Sequence, residues 1–337
     1  MVKKPTSPSV SKSLGGEFGL IRELLAPLAQ NASALGLRDD AAVFTPPSGY
    51  DLVISTDALV AGVHFPSPAE ASLVANRALA CNISDLAAKG ATPAGCTLSL
   101  GLSPDWEAAY LRDLMTAFGR GLNAWGLELW GGDTVRTPTS FLSLTVYGLV
   151  PHGKMVQRAG AQMGDDVYVT GVLGDGWLGL QQELGEQKHL EDVRKAYSDP
   201  QPPLALGQKL VDIATSSLDI SDGLMADLDH LCLASGVCMD IQLSDIPYSG
   251  AGQAYLHAGG ALERLLGGGD DLQIGFTAPP EKAAALTALA QATQTQLTKI
   301  GRVTCQAGAG DGPTTRAVLR SQSGAEIALE TRGYRHF

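Results

Sequence analysis

Apolar runs of strand type alternate with stretches of helical spacing along this chain, which restricts it to a mixed α and β architecture. DLVIST at 51–56 has the β-branched look of a buried strand, whereas EFGLIRELLAPLAQ before it spaces Phe18, Ile21, Leu24, Leu25 and Leu28 as a helix would. Residues 69–90 and 105–125 read as two longer helices. They are separated by the apolar strand PAGCTLSLGL and followed by LELW and FLSLTVYGLV as further strands. Turn residues Pro151-His152-Gly153 then interrupt the pattern. Beyond them DDVYVTG is a strand entering a Gly-rich turn, PLALGQKLVDIA and SDGLMADLDHLCLAS are helices, and MDIQL, DLQIGFT and LTKIGRV are strands. The expectation is a mobile tail at 1–16, an α+β domain over 17–152 and an α/β domain over 153–337. At roughly 150 residues per domain, 337 residues accommodate two domains that each bury a core.

Composition excludes several functions. Apolar residues make up 45% and charged residues 18%, far from the composition of a disordered chain. The 24 basic and 35 acidic residues leave a net charge of −11, and no stretch concentrates Lys and Arg. The electrostatic footprint of a nucleic-acid binder is missing, and an anionic membrane is not an expected partner. No run of about 18 apolar residues occurs, and the first residues carry two lysines without an apolar segment behind them, so a cytoplasmic protein is expected. Five cysteines, Cys81, Cys96, Cys232, Cys238 and Cys305, are odd in number and form no C-x-x-C pair. They read as reduced, mostly buried thiols.

The aspartates point to chemistry. Asp39-Asp40, Asp57, Asp85, Asp133, Asp219 with Asp222, and Asp270-Asp271 all fall at expected turns or element ends, most of them beside Gly, Ser or Thr. Carboxylates with neighbouring hydroxyls make an all-oxygen environment that suits magnesium rather than zinc or copper. Singly, each has a plainer reading: Asp39-Asp40 as a turn, Asp57 or Asp222 as a helix cap, Asp85 as a partner of Lys89. Taken as a set in both halves of the chain, they read as a multi-cation site.

Two Gly-rich segments bear on phosphate. Trp130-Gly131-Gly132-Asp133-Thr134 follows a short strand, where glycines let backbone N–H groups approach an anion or simply make a tight turn. Gly174-Asp175-Gly176-Trp177-Leu178-Gly179 fits G-x-G-x-x-G between a strand and an expected helix, the setting a dinucleotide fold requires. Asp175 stands where a pyrophosphate would approach, which argues against that reading. An acidic protein binding a polyanion would meet repulsion of roughly 4 kcal/mol per pair of like charges about 4 Å apart. Divalent cations held by aspartates remove that conflict. No G-x-S-x-G, Walker or H-x-x-x-H pattern is present, so a covalent nucleophile is not expected.

In order along the chain, LRDDAAV, LVISTDALVAGVHF, NISDLAAKGA, LWGGDT, QRAGAQMGDDVYVTG, LDISDGL, GGGDDLQI and GYRHF resemble the thiamine-monophosphate kinase family, from about Glu17 to Phe337. The resemblance implies an aminoimidazole-ribonucleotide synthetase-like fold, with the N-terminal α+β domain contributing strands to a dimer β-barrel and the C-terminal α/β domain closing the active site. It implies a homodimer and transfer of phosphate from ATP to thiamine monophosphate with several Mg2+ ions. Asp40, Asp57, Asp85, Asp133, Asp219 and Asp222 become the implied metal ligands, helped by Ser55 and Thr56. Gly132, Arg158 and Ser221 would contact ATP, with Trp125 the nearest aromatic candidate for the nucleotide. His64, Asp270 and Tyr334 would contact the thiamine phosphate. No catalytic base is expected, because a phosphate monoester with a second pKa near 6 is already mostly a dianion at neutral pH.

The chain departs from the family pattern at Arg38, where Gly is usual, and at Asp270, where Glu is usual; Asp271 is a second candidate for that substrate contact. Selenophosphate synthetase would need a reactive Cys or selenocysteine near the start, and the hydrogenase-maturation dehydratase would need a C-terminal Cys. Aminoimidazole-ribonucleotide synthetase is the remaining enzyme alternative. A nucleotide or cation sensor without turnover, and an NAD-dependent oxidoreductase built on the Gly174 segment, are the alternatives from other classes.

Overall fold

The computed structural model describes residues 14–306 and 315–336, so the expected tail falls, apart from its last three residues, outside the described residues. The chain divides into two compact units. One holds the residues up to Ile83 together with Pro93–Leu149; the other holds Ser84–Thr92 together with Val150 onward.

The first unit is built around a four-stranded sheet of order β1-β4-β2-β3, formed by Tyr50–Val60, Thr92–Leu102, Glu128–Arg136 and Phe141–Pro151 as β1 to β4. β4 alternates fully buried Leu142, Leu144, Val146 and Val150 with half-buried neighbours, as period-two patterning demands of a sheet with one face in the core. Helices α1 (Ala71–Ala88) and α2 (Ala108–Trp125) supply the rest of its apolar interior, including Leu73, Leu79, Leu111, Leu114 and Phe118. α2 stops at Gly126, whose left-handed conformation (φ 67°) closes the last turn. The stretch before β1 is helical as its spacing predicts, but passes from α (Glu17–Leu20) through π (Ile21–Leu25) to 3-10 geometry (Ala26–Leu28) around Pro27.

The second unit carries a six-stranded sheet of order β10-β7-β9-β5-β8-β6. Its strands are Asp166–Thr170 (β5), Ser216–Ile220 (β6), Val237–Gln242 (β7), Gln273–Ala278 (β8), Leu297–Gln306 (β9) and Ala317–Arg320 (β10). Helices α3 (Asp175–Glu183), α4 (Leu224–Ser235) and α5 (Ala283–Thr293) are its longest after the end of α1. Val167, Val169, Leu218, Ile220, Leu228, Leu231, Met239, Ile241, Ile300 and Val303 form its main core. β5 and β6 are buried at every position, so they carry no alternation.

Two expectations are corrected here. PLALGQKLVDIA is not a long helix: only Leu204–Gly207 is helical, and turns follow into β6, which the sequence pattern had not marked as a strand. The cysteines are not all reduced thiols. β7 and β9 pair antiparallel with Cys238 opposite Cys305, and the two sulfurs are bonded. The pairing escapes a search for short Cys spacings because 67 residues separate the partners. Cys96 and Cys232 are buried free thiols, and Cys81 is half-buried.

Candidate functional site

In the first unit, β1 sets Ser55 and Asp57 on one face and Thr56 on the other. The Thr56 hydroxyl is engaged with β4, donating to the Leu144 carbonyl (3.2 Å) and accepting from the Thr145 hydroxyl (3.0 Å). Asp57 lies inside β1, and Asp133 inside β3; neither is at an element end or caps a helix. Just past β1, Nδ1 of His64 accepts from the Val60 N–H (3.1 Å), which leaves the ring proton on Nε2. A cavity of about 420 Å³ in this unit is lined by Asp39, Asp40, Thr97, Trp130, Gly132 and Asp133, among others. It brings Asp40, Gly132 and Asp133 together. Trp125 ends α2 and does not line it, whereas Trp130 does, stacked between Phe44 and Tyr147. Gly132 is obligatory, since a Cβ there would overlap the Leu98 carbonyl of the paired strand. Arg38, the departure from glycine, has φ −110°, a conformation open to any residue.

In the second unit, Ser221 and Asp222 form the turn between β6 and α4. The helix takes Gly223 as its N-cap with no side-chain cap, so Asp222 is not spent on capping. The Ser221 carbonyl accepts from the Asp270 N–H and the Asp222 carbonyl from the Tyr334 N–H, both at 2.8 Å. Three segments far apart in sequence thereby meet on one turn. Asp270 has φ 67°, in the left-handed region that Asp tolerates better than most residues, which accounts for a short carboxylate at this place. Asp271 is committed elsewhere: both its oxygens accept from the Gly174 N–H (2.9 Å) and Oδ1 also from the Gly176 N–H (3.1 Å). Burial, opposed by those bonds, pushes its pKa up to about 7.

That commitment removes the dinucleotide reading. The N–H groups that a pyrophosphate would use at Gly174 and Gly176 already serve an internal carboxylate, and β5 runs antiparallel to both its neighbours.

Asp219 is buried on β6, and Asp85 is half-buried in the last turns of α1. Lys89, one turn beyond Asp85, donates from Nζ to the Ser217 carbonyl (2.6 Å). Its burial and the positive charge of Arg158 lower its pKa to about 8, while Asp219 and Asp85 pull the other way. In the sequence Lys89 is visible only as a partner of Asp85; two cations beside two carboxylates arise once β6 meets the end of α1.

Among the described residues no three His, Cys, Asp or Glu side chains converge as a ready-made metal cage. The candidate donors, Asp40, Ser55, Thr56, Asp57 and Asp133 in the first unit and Asp85, Asp219 and Asp222 in the second, are each oxygen donors.

Residues 38–150 match the family model described as AIR synthase related protein, N-terminal domain. The thiamine-monophosphate kinase of Escherichia coli (strain K12) is 36% identical over 329 residues, 96% of this chain and 98% of that protein. The chain belongs to the thiamine-monophosphate kinase family. It is therefore a phosphotransferase with the fold of that family. The thiamine-monophosphate kinase of Caulobacter vibrioides is 38% identical over 297 residues, 85% of this chain and 83% of that protein. Among solved structures, the thiamine-monophosphate kinase from Stenotrophomonas maltophilia K279a superposes with a TM-score of 0.76 at 36% identity, covering 92% of this chain and 98% of that one. AaThiL, complexed with AMPPCP and TMP, gives 0.74 at 30% identity over 96% and 97%. The hydrogenase maturation protein HypE in complex with ATP also gives 0.76, but at 19% identity it shares the fold alone. No helix among the described residues is long and apolar enough to cross a membrane.

Proposed function

We propose that this kinase transfers the γ-phosphoryl group of ATP to the phosphate of thiamine monophosphate, giving ADP and thiamine diphosphate by direct in-line displacement without a covalent intermediate. The observation that carries the reading is the backbone junction of Ser221, Asp222, Asp270 and Tyr334, in a family whose member AaThiL is complexed with an ATP analogue and TMP. Asp40, Asp57, Asp85, Asp133, Asp219 and Asp222, with Ser55 and Thr56, would hold magnesium. Bound Mg2+ supplies neutralisation of phosphate charge and alignment of the transferring group. Gly132 lets the backbone approach the nucleotide, Arg158 offers a fork of donors to its phosphates, and Ser221 is a further nucleotide contact. His64, with its proton on Nε2, donates to the acceptor phosphate; Asp270 and the face of Tyr334 are suited to the cationic thiazolium. The acceptor dianion needs no general base, so the task of the side chains is positioning.

A homodimer goes with this reading. β1 is an edge strand of its sheet and exposes Tyr50 (47%), Leu52 (37%) and Ile54 (59%) along one face, an apolar edge that soluble proteins cover. A cytoplasmic location follows from ATP as donor. The test is product formation from ATP and thiamine monophosphate with and without Mg2+, read by chromatography. Equal, Mg2+-dependent amounts of ADP and thiamine diphosphate are expected; no thiamine diphosphate from folded protein that binds ATP would overturn the proposal.

A further inference from the structure

Asp227 lies in the first turn of α4 and is 4% exposed. One of its oxygens, Oδ2, accepts three backbone N–H bonds, from Ser221 (3.0 Å), Asp222 (3.1 Å) and Gly223 (3.1 Å). The opposite edge of the same turn is used as well, because the carbonyls of Ser221 and Asp222 receive the N–H groups of Asp270 and Tyr334. Gly223 has φ 123°, and a Cβ on it would come within 2.7 Å of the Leu266 carbonyl oxygen and Gly267 Cα, so the turn has no room to reform around a side chain. Successive N–H groups in a turn ordinarily make a nest for an external anion. Here the nest is filled from within by a carboxylate, and the turn is left to present side chains rather than backbone donors.

We propose that Asp227 is a positioning residue for phosphoryl transfer: its Oδ2 fixes the 221–223 turn, so that Asp222 is aimed at the metal while Asp270 and Tyr334 are held at the substrate. The identities of metal and substrate rest on the function proposed above. The role of Asp227 extends that reading, since the residue touches neither and acts through three residues that do. A carboxylate whose only task was to start α4 would leave metal and substrate affinity alone.

The test uses the full chain with Asp227→Asn, which keeps the side-chain shape and one acceptor oxygen but loses the charge that strengthens bonds to N–H groups, and with Asp227→Ala, which removes the acceptor. The Asn variant is expected to fold, with the Mg2+ concentration for half-maximal activity and the KM for thiamine monophosphate each raised roughly tenfold, the scale of outer-sphere partners of metal ligands. Its kcat at saturation stays near wild type, and Ala moves both values further. A second readout is binding of Mn2+ alone, followed by loss of the free ion's paramagnetic resonance signal; Asp227→Asn and Asp222→Asn are both expected to weaken it. An Asn variant whose Mg2+ dependence, KM and Mn2+ binding all match wild type while its melting temperature falls overturns the proposal. Failure of both variants to fold does so too, by assigning the carboxylate to stability alone. A wild-type protein that makes no thiamine diphosphate would instead refute the proposed function, and the Mn2+ measurement would still decide the role of Asp227.

Discussion

Asp57 sits near the end of an eleven-residue strand with Ser55 on its own face, a position where a carboxylate stabilises no turn and caps no helix. A charged residue inside a strand has low intrinsic preference for it, and the proposed ligand role would account for its presence. Asp57→Asn is expected to lower kcat at least about 100-fold, with the melting temperature of the wild type. Retention of most of the turnover by a folded variant would remove Asp57 from the metal site. The individual aspartates were legible as candidates because oxygen-rich surroundings can be read from adjacent letters. Their division was not: Asp271, next to Asp270 in sequence, turns its oxygens to Gly174 and Gly176, while Asp270 reaches the turn at Ser221.

At the scale of elements, the loops around α3 and α4 are each pinned by a carboxylate, Asp271 for the first and Asp227 for the second. Both have pKa values pushed up to about 7, by burial first. The folded value of Asp271 lies above the ordinary 3.8, so the fold binds a proton that the unfolded chain releases. Stability from this group is complete below about pH 3.8 and is lost as pH rises through about 7. Asp271→Asn, neutral throughout, is expected to flatten part of the fall in melting temperature between pH 4 and 8; an unchanged slope would show that Asp271 does not titrate in that window. The pairing of β7 with β9 makes a second prediction. In denaturant without reductant, thiol titration is expected to find three of the five cysteines, and all five after reduction. Five in both conditions would mean that Cys238 and Cys305 are not bonded. The helices and strands with clean periodicity, such as α1, α2, β1 and β4, were readable; β6 was not, because a strand buried on both faces has no alternation to read.

The apolar face of β1 belongs to the whole molecule. Ile54→Asp or Leu52→Asp sets a charge on the exposed edge, and either is expected to convert a dimer of twice the 35.0 kDa chain mass into monomer, measured by sedimentation velocity. A wild-type protein that is monomeric at micromolar concentration would refute the dimer. The net charge of −11 acts on the same scale, since it repels a polyphosphate, and the proposed divalent cations would offset that repulsion.

By itself, the sequence determined the mixed α and β class and the family, and it marked the candidate oxygen ligands, because periodicity, glycine placement and local Asp, Ser and Thr spacing are properties of neighbouring residues. Tertiary structure alone decided which atoms those residues spend on one another. The bond between Cys238 and Cys305, the filling of the Gly174–Gly176 turn by Asp271, and the meeting of Asp270 and Tyr334 on the Ser221-Asp222 turn all join groups remote in the chain. The physical reason is that buried N–H and C=O groups must each find a partner, and the choice among partners exists only once the sheets have brought distant segments within bonding distance.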